Sequence, residues 1–459
     1  MNQQTNHYLA EEKISKLMLK FAIPCIMSLL VSSLYNIVDQ IFIGRGVGYL
    51  GNGATNVVFP ITVIALALAL MVGDAAAAFL SICQGKKDTE SAHKTVGNAI
   101  VLISLLGIVL MILFFILKEP ILKTFGATEN NIGYAREYFD YITIGLPFYM
   151  FGITVNGIIR ADGNPRYSML CVLVGCIINI ILDPIAIFVL GWGMKGAAIA
   201  TIIGQIATAI MAGAYLVRMK SLHLKKSSFK LSFSMIAKFL PLGISSLLTQ
   251  LSVVVVMAVM NTTLVRYGAL SKYGADIPLT VLGIVFKIYS IVLAFVIGIA
   301  VGCQPLFGFN YGAGKYERVK KIYATMIKAE CVVGLIAFFI FQIFPLQITR
   351  IFGSEEGLYN EFAVLAFRIF LSTIVLSAIQ KATSIFFQSL GKPVKAFGLS
   401  LIRDFVVNIP MILLLPRFFG VTGALLSAPI ADIVAFALVV ILVVMTFKQL
   451  DRIQFEEVS

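Results

Sequence analysis

Two aspartates lie within apolar stretches of the sequence, each beside further polar residues at helical spacing. Asn36 and Asp39 share one face of a helix, and Asn179 and Asp183 stand one turn apart on a second. Thr201 adds a hydroxyl on a third apolar stretch. Two carboxylates, an amide and a hydroxyl suit a proton or a small cation. The residues therefore predict a cation site at Asp39, Asn179, Asp183 and Thr201, with Na+ as the metal that the two aspartates could hold.

The depth of these residues in a membrane indicates that they meet. Asp39 lies near the end of its apolar stretch, Asp183 lies nine residues before Trp192, and Thr201 lies six residues after Lys195. At about 1.5 Å per residue, all three are then roughly 8–14 Å below the outer surface. An ionisable group at a bilayer centre costs about 2.5–3.5 kcal/mol on insertion scales, which favours a functional role. The alternative is that each aspartate is a satisfied residue of helix packing.

The elements that carry these residues are predicted to be membrane helices. Hydrophobic residues make up 59% of the 459 residues and charged residues only 13%, against about 25% charged in soluble domains. This composition excludes a soluble globular protein, a disordered chain and a disulfide scaffold. We expect an all-α polytopic membrane protein with twelve spans, at 17–43, 54–82, 96–117, 136–159, 167–190, 196–217, 236–265, 279–303, 322–345, 359–387, 394–416 and 421–447.

The two halves of the sequence repeat landmarks at a nearly constant offset. Gly85 corresponds to Gly312 at an offset of 227, and the turn at 163–165 corresponds to that at 391–393 at an offset of 228. Six spans in each half make the halves parallel repeats, related by a pseudo-two-fold axis along the membrane normal. Two six-helix bundles around a cleft are typical of an alternating-access carrier, with a duplicated channel or scaffold as the alternative.

The repeat divides the chain into two lobes and a linker. We expect an N-lobe at 1–217, a basic cytoplasmic linker at 218–234 and a C-lobe at 235–459. The net charge of +13 is concentrated in loops on one side of the predicted spans. The positive-inside rule then places both termini in the cytoplasm of a multi-pass protein of the cell (inner or plasma) membrane. Because the orientation of the protein in the membrane explains the positive charge, we expect no nucleic-acid partner.

Further polar residues within the spans are candidates to line the cleft. They are Tyr35, Asn36, Asn156, Gln205, Gln250 and Ser377. Three more acids, Asp74, Asp404 and Asp432, could face either the cleft or a neighbouring helix. No ATP-binding loop accompanies them, because Phe309 and Phe386 stand where the first glycine of such a loop is required. Coupling to an ion gradient is the natural substitute.

Several stretches resemble the multidrug and toxic compound extrusion (MATE) family. They are Tyr-Asn-Ile-Val-Asp at 35–39, the run from Gly-Asn-Pro at 163–165 to Thr201, and Gly-Phe-Asn-Tyr-Gly-Ala at 308–313. The resemblance covers essentially the full chain. It implies a V-shaped carrier that exports organic cations or amphiphiles by rocker-switch exchange for H+ or Na+.

The resemblance also implies roles for individual residues. The family's N-lobe cation site maps onto Asp39, Asn179, Asp183 and Thr201, with Tyr35 and Asn156 nearby, and the bend of its first helix maps onto Pro24. Some members carry acids on helices 7 and 10 of the C-lobe, where this sequence has Gln250 and Ser377. Coupling through the N-lobe is therefore favoured.

The predicted residues can be compared with the requirements of three functions. The first is a drug exporter coupled to H+ or Na+, with organic cations and the lipid bilayer as partners, no cofactor and a monomeric state. The second is a lipid-linked oligosaccharide flippase, which needs a strongly cationic cleft and could use Arg368, Lys381 and Arg403. The third, a membrane enzyme, is disfavoured because none of the three histidines lies within a predicted span.

Overall fold

The structure, a computed structural model, describes residues 7–350 and 357–458. Within that part of the chain, eleven helices are long and apolar enough to cross a membrane, and one bent pair makes a twelfth span. In chain order they are α1 (Ile14–Gly46), α2 (Tyr49–Lys86), α3 (Thr89–Ile116), α4 (Ile132–Ala161), α5 (Pro165–Val189), α6 (Gly193–Val217), α7 (Phe233–Ala269), α8 (Asp276–Gly312), α9 (Tyr316–Ile343), α10 (Leu358–Phe370 with Ile374–Ser389), α11 (Pro393–Phe419) and α12 (Val421–Phe455).

The all-α fold with twelve spans is confirmed, and most helices extend beyond the predicted apolar runs. The polar ends of α2 and α8 stay helical because backbone hydrogen bonding continues past the last apolar residue. The predicted span at 359–387 corresponds to α10, which bends by 46° between Phe370 and Ile374. At this break Thr373 donates a hydrogen bond to Asp432 on α12 (2.8 Å) instead of continuing the helix.

The two halves meet around a pseudo-two-fold axis between α2 and α8. A Cβ on Gly85 would lie 2.1 Å from the carbonyl oxygen of Phe309, and a Cβ on Gly312 would lie 2.2 Å from that of Ile82. Gly85 and Gly312 are repeat equivalents that contact each other, as residues beside a two-fold axis must. Only glycine permits this approach of the two backbones.

A second pair of close contacts, of α1 with α8 and of α7 with α2, follows the same symmetry further from the axis. A Cβ on Gly298 of α8 would lie 2.8 Å from Cα of Ile26 on α1, and a Cβ on Gly243 would lie 1.7 Å from the carbonyl oxygen of Met71 on α2. These close contacts lie in the C-terminal halves of α2 and α8. The two halves of the molecule are thus pressed together at one end of the bundle.

The connection between the lobes is held by one buried carboxylate. Asp162, just after α4, accepts hydrogen bonds from the hydroxyl of Tyr215 (2.7 Å), from the backbone N–H groups of Lys220 (2.9 Å) and Ser221 (3.1 Å), and from the Ser221 hydroxyl. Burial raises the pKa of Asp162, and the hydrogen bonds from Ser221 and Tyr215 counteract part of that shift. Asp162 is not among the residues predicted from the sequence, although it is an acid within a basic loop region.

Candidate cation site and central cavity

A close crossing of α5 and α6 sets the geometry of the candidate site. A Cβ on Gly204 would lie 2.6 Å from the carbonyl oxygen of Gly175, and a Cβ on Gly175 would lie 2.8 Å from that of Gly204. Asn179 stands one turn beyond Gly175, and Thr201 stands about one turn before Gly204. The crossing therefore brings the polar side chains of the two helices face to face.

Asn179 joins three of the four candidate residues. Its amide nitrogen donates hydrogen bonds to Asp183 Oδ1 (3.2 Å) and to Thr201 Oγ1 (3.2 Å). All three side chains are buried, with Asp183 0% exposed. A buried amide with both of its donor bonds made fixes the orientation of its two partners.

The fourth residue, Asp39, is placed by the packing of α1 on α5. Pro184 is followed by a π-helical turn, Ile185–Val189, which fits the loss of one backbone donor at a proline. Phe188 on this turn packs edge-on against Phe42 of α1, with ring centroids 6.2 Å apart. One turn below these contacts, the carboxyl groups of Asp39 and Asp183 face each other within hydrogen-bond reach.

The site presents oxygen atoms that have no hydrogen-bond donor. Asp39 Oδ1, Asp183 Oδ2 and Asn179 Oδ1 are all buried without a partner. Two carboxylates in contact also repel each other unless a positive charge lies between them. A proton or a hard cation such as Na+ satisfies both requirements, so the residues present fit either ion. Within the described chain, no group of three or more His, Cys, Asp or Glu side chains could hold a metal ion.

A small cavity adjoins the site within the N-lobe. Its volume is about 80 Å³, and it is lined by Tyr35, Asn156, Asn179, Thr201 and Gln205, among others. The amide oxygen of Gln205 and both amide atoms of Asn156 are buried without a hydrogen-bond partner. Five of the predicted polar residues of the N-lobe thus surround one space.

A larger cavity lies between the two lobes. Its volume is about 300 Å³, and both lobes contribute to its lining, with Asp74 and Asn156 on one side and Gln250 and Asp404 on the other. Ser32, Ile153, Asn156 and Val172 line both cavities. The small cavity, which Asn179 and Thr201 line, and the cavity between the lobes therefore share a wall.

Asp39 and Asp183 are not among the lining residues of either cavity, and three of the candidates for the cleft also lie outside both. Asn36 is exposed and donates a hydrogen bond to the backbone carbonyl of Ser32 (2.7 Å). Ser377 is buried against Tyr289, with 3.0 Å between the two hydroxyl oxygens. Asp432 is also buried and forms an ion pair with Arg403 (2.8 Å). The rotation of each helix about its own axis, which depends on tertiary packing, turns these residues away from the cavities.

Arg403 is neutralised by two carboxylates at the centre of the C-lobe. Its guanidinium donates to Asp404 Oδ1 (2.5 Å) and to Asp432 Oδ1 (2.8 Å). Asp404 in turn accepts a hydrogen bond from Ser252 (2.7 Å). The segment that carries Arg403 and Asp404 is π-helical, Ile402–Asn408, the second such turn in the described chain. This cluster is a closed network in which each charge has a partner.

Comparison with known proteins identifies the family. The family model MatE matches residues 24–185 and 241–414, one stretch in each half of the chain. The chain belongs to the MatE family. The resemblance drawn from the motifs is thereby confirmed, and so is the expectation of a multi-pass membrane transporter rather than an enzyme.

Relatives and solved structures match along the whole chain. The Multidrug export protein MepA of Staphylococcus saprophyticus subsp. saprophyticus is 23% identical over 464 residues, which cover 100% of this chain and 99% of the relative. That of Staphylococcus haemolyticus is 24% identical over 450 residues and covers 96% of each. A MATE protein in complex with MaL6 has a TM-score of 0.90 at 24% identity over 98% of this chain and 100% of that chain. An outward-facing multidrug resistance MATE family transporter of the MOP superfamily has a TM-score of 0.90 at 23% identity, over 97% and 99%. These structures share the fold of this chain.

Proposed function

We propose that this protein is a secondary active exporter of small amphiphilic molecules, organic cations among them, that acts as a monomer in exchange for H+ or Na+. The observation that carries the proposal is the contact of Asp39 with Asp183 beside Asn179 and Thr201, next to a cavity that both lobes line. The relatives in the comparison are named as multidrug export proteins, which supports export as the direction of transport.

Ion binding and drug binding are coupled through the position of α1. With a proton or Na+ at the carboxylate pair, Asp39 and Asp183 can stay in contact and α1 can stay packed on α5. Without the ion, repulsion between the carboxylates pushes the outer part of α1 away from α5. The ion therefore favours one position of α1, and a ligand in the central cavity that prefers the other position is coupled to it in return.

Pro24 is the proposed hinge for this movement of α1. Before it, Leu17 and Phe21 are fully buried in a core formed mainly by C-lobe helices; after it, Ile43 is fully buried in the N-lobe core. The two parts of α1 thus belong to different cores, and Pro24 lies near the change-over. Proline removes one backbone hydrogen bond of the helix and eases bending there.

The orientation of the protein in the membrane decides which end of the cavity faces the cytoplasm. If both termini are cytoplasmic, the close approach of α2 and α8 at Gly85 and Gly312 closes the cytoplasmic side. Rocker-switch exchange then requires that these helix ends separate so that the drug can enter from the cytoplasm or the inner leaflet. The conformation described here is the one from which the drug leaves outward.

A lipid-linked oligosaccharide flippase would need a strongly cationic cavity. Of the three basic residues that could serve it, Arg403 is paired with two carboxylates and Arg368 is exposed and bound to a backbone carbonyl of Gln342 (3.2 Å). Only Lys381 lines the central cavity. No observation therefore favours this second function.

The proposal is tested by efflux of a fluorescent organic cation from cells that express either the wild type or Asp39→Asn. The variant should reach the membrane in the same amount and lose efflux, because an amide cannot take up a proton and lacks the negative charge that holds Na+. The matched control is Asp140→Asn on α4, whose carboxylate is at the surface and paired with Lys118 (2.6 Å). Full efflux by Asp39→Asn would exclude the proposed coupling site.

A further inference from the structure

The two lobes carry polar clusters beside equivalent crossings of helices. In the repeat, α11 and α12 of the C-lobe correspond to α5 and α6 of the N-lobe. At the offset of 228 found for the turns before α5 and α11, Gly175 corresponds to Arg403. At the same offset, Gly204 corresponds to Asp432. The contact of two glycine backbones in the N-lobe is thus replaced by an ion pair in the C-lobe.

All four carboxylate oxygens of the C-lobe cluster accept a hydrogen bond. Arg403 donates to one oxygen of Asp404 and to one oxygen of Asp432. The other oxygen of Asp404 accepts a hydrogen bond from Ser252 of α7 (2.7 Å). The other oxygen of Asp432 accepts one from Thr373 at the break of α10 (2.8 Å). The guanidinium therefore lies between the two acids and joins four helices of the C-lobe through them.

The carboxylates of the N-lobe cluster have no such cation between them. Asp39 Oδ1 and Asp183 Oδ2 are buried without a hydrogen-bond partner, and the two carboxyl groups face each other. Two carboxylates in contact repel each other unless a positive charge lies between them. In the N-lobe this charge has to come from a proton or a bound cation, whereas the C-lobe supplies it from its own chain.

The charges around Arg403 balance without an added ion. Lys381 of α10 interacts electrostatically with both Asp404 and Asp432, and Tyr289 of α8 is a further titratable group beside the guanidinium. Two carboxylates thus meet one guanidinium and one ammonium group. Removal of the guanidinium alone would leave one negative charge in excess at a buried place, which is costly unless a cation enters.

We infer that Arg403 is a built-in counter-ion that takes the place of an exchangeable cation in the C-lobe. The inference rests on the coupling site of the proposed function and extends it, because the C-lobe cluster then needs no coupling ion. Since the guanidinium cannot leave, the contacts among α7, α10, α11 and α12 persist whether or not an ion is bound. Ion-dependent movement is then confined to α1 and α5 of the N-lobe, and these four C-lobe helices move as one body.

The test asks whether an exchangeable cation can replace the guanidinium once Arg403 is removed. The double variant Asp39→Asn/Asp183→Asn serves as the parent, so that the N-lobe site no longer responds to ions. The thermal unfolding midpoint of the purified full-length protein is measured over a range of NaCl concentrations and of pH. Addition of Arg403→Gln should make the midpoint rise more steeply with Na+, with protons or with both than in the parent, because a ligand that binds only the folded state stabilises it.

Two further variants of the same parent are matched controls. Arg403→Gln combined with Asp432→Asn removes one charge of each sign, so its midpoint should follow that of the parent. Arg368→Gln removes an exposed arginine of α10 and should do the same.

Three results would overturn the inference. In the first, Arg403→Gln responds to Na+ and pH as the parent does. In the second, the charge-balanced combination with Asp432→Asn responds as strongly as Arg403→Gln. In the third, Arg403→Gln has no folded form at any Na+ concentration or pH, since an exchangeable cation then cannot replace the guanidinium. None of these measurements involves transport, so failure of the proposed export function would leave their result unchanged.

Discussion

Asn179 holds the candidate site together at the scale of single residues. It is the common donor to Asp183 and Thr201, and its own oxygen remains free. Because one amide spans two helices, changes on either helix reach the carboxylate pair through it. We expect the coupling ion to bind to the free oxygens of Asn179, Asp39 and Asp183.

Replacement of Thr201 tests this arrangement without removing a charge. Thr201→Val keeps the shape of the side chain and removes one acceptor of the Asn179 amide, a loss of about 1 kcal/mol. We expect efflux of a fluorescent cation to fall several-fold without being abolished. The control is Thr325→Val on α9, whose hydroxyl donates only to a backbone carbonyl of its own helix. Efflux at the wild-type rate in Thr201→Val would show that the hydroxyl has no part in the site.

Spacing and depth in the sequence were enough to place the four candidate residues near one another. Asp39, Asp183 and Thr201 lie at similar depth because each helix rises by a fixed amount per residue. The facing direction of Asn36 and Ser377 could not be predicted, because it depends on how each helix is rotated against its neighbours. The ion pairs of Arg160 with Asp74 and of Arg403 with Asp432 could not be predicted either, since an ion pair between distant helices is a property of the packed structure.

At the scale of elements, the crossing of α5 and α6 decides whether the site forms. Gly175 and Gly204 let the two backbones touch, and the polar residues one turn away then meet. Small residues at such crossings are typical of helix packing in membranes. The sequence shows both glycines, but a glycine within an apolar stretch does not reveal which helix approaches it.

Gly204→Ala should separate the two helices. The new Cβ would lie 2.6 Å from a backbone oxygen of α5, which cannot move aside as a side chain can. Overpacking of this kind destabilises by about 1–3 kcal/mol, so we expect a lower thermal unfolding midpoint and reduced efflux. Gly213→Ala on the same helix is the control, since its Cβ would make only an ordinary contact, 3.7 Å from the ring of Phe151. The crossing is not required if both variants behave like the wild type.

At the scale of the whole molecule, the pseudo-two-fold axis explains which end of the bundle is closed. The repeat was visible in the sequence as a constant offset, and the equivalence of Gly85 and Gly312 followed from it. That these equivalent residues touch each other could not be predicted, because an offset gives the symmetry of the halves and not the distance between them. The lobes contact mainly through α1 and α2 of one half and α7 and α8 of the other.

A bulky residue at the axis should hold the closed end open. In Gly312→Val the Cβ would lie 2.2 Å from the backbone oxygen of Ile82, so α2 and α8 must move apart. We expect faster hydrogen–deuterium exchange at 78–86 and 305–312 and reduced efflux. Gly283→Val on the same helix has open space around its Cβ and should resemble the wild type. Unchanged exchange in Gly312→Val would contradict the packing described for this end.

The central claim is that ion binding at the carboxylate pair of the N-lobe drives export. It is tested most directly in proteoliposomes, by transport of a fluorescent organic cation under proton and sodium gradients imposed separately. The wild type is expected to accelerate transport under at least one of these gradients, and Asp183→Asn should respond to neither. The claim is contradicted if the wild type transports equally fast without any gradient, or if Asp183→Asn responds to the gradient as the wild type does.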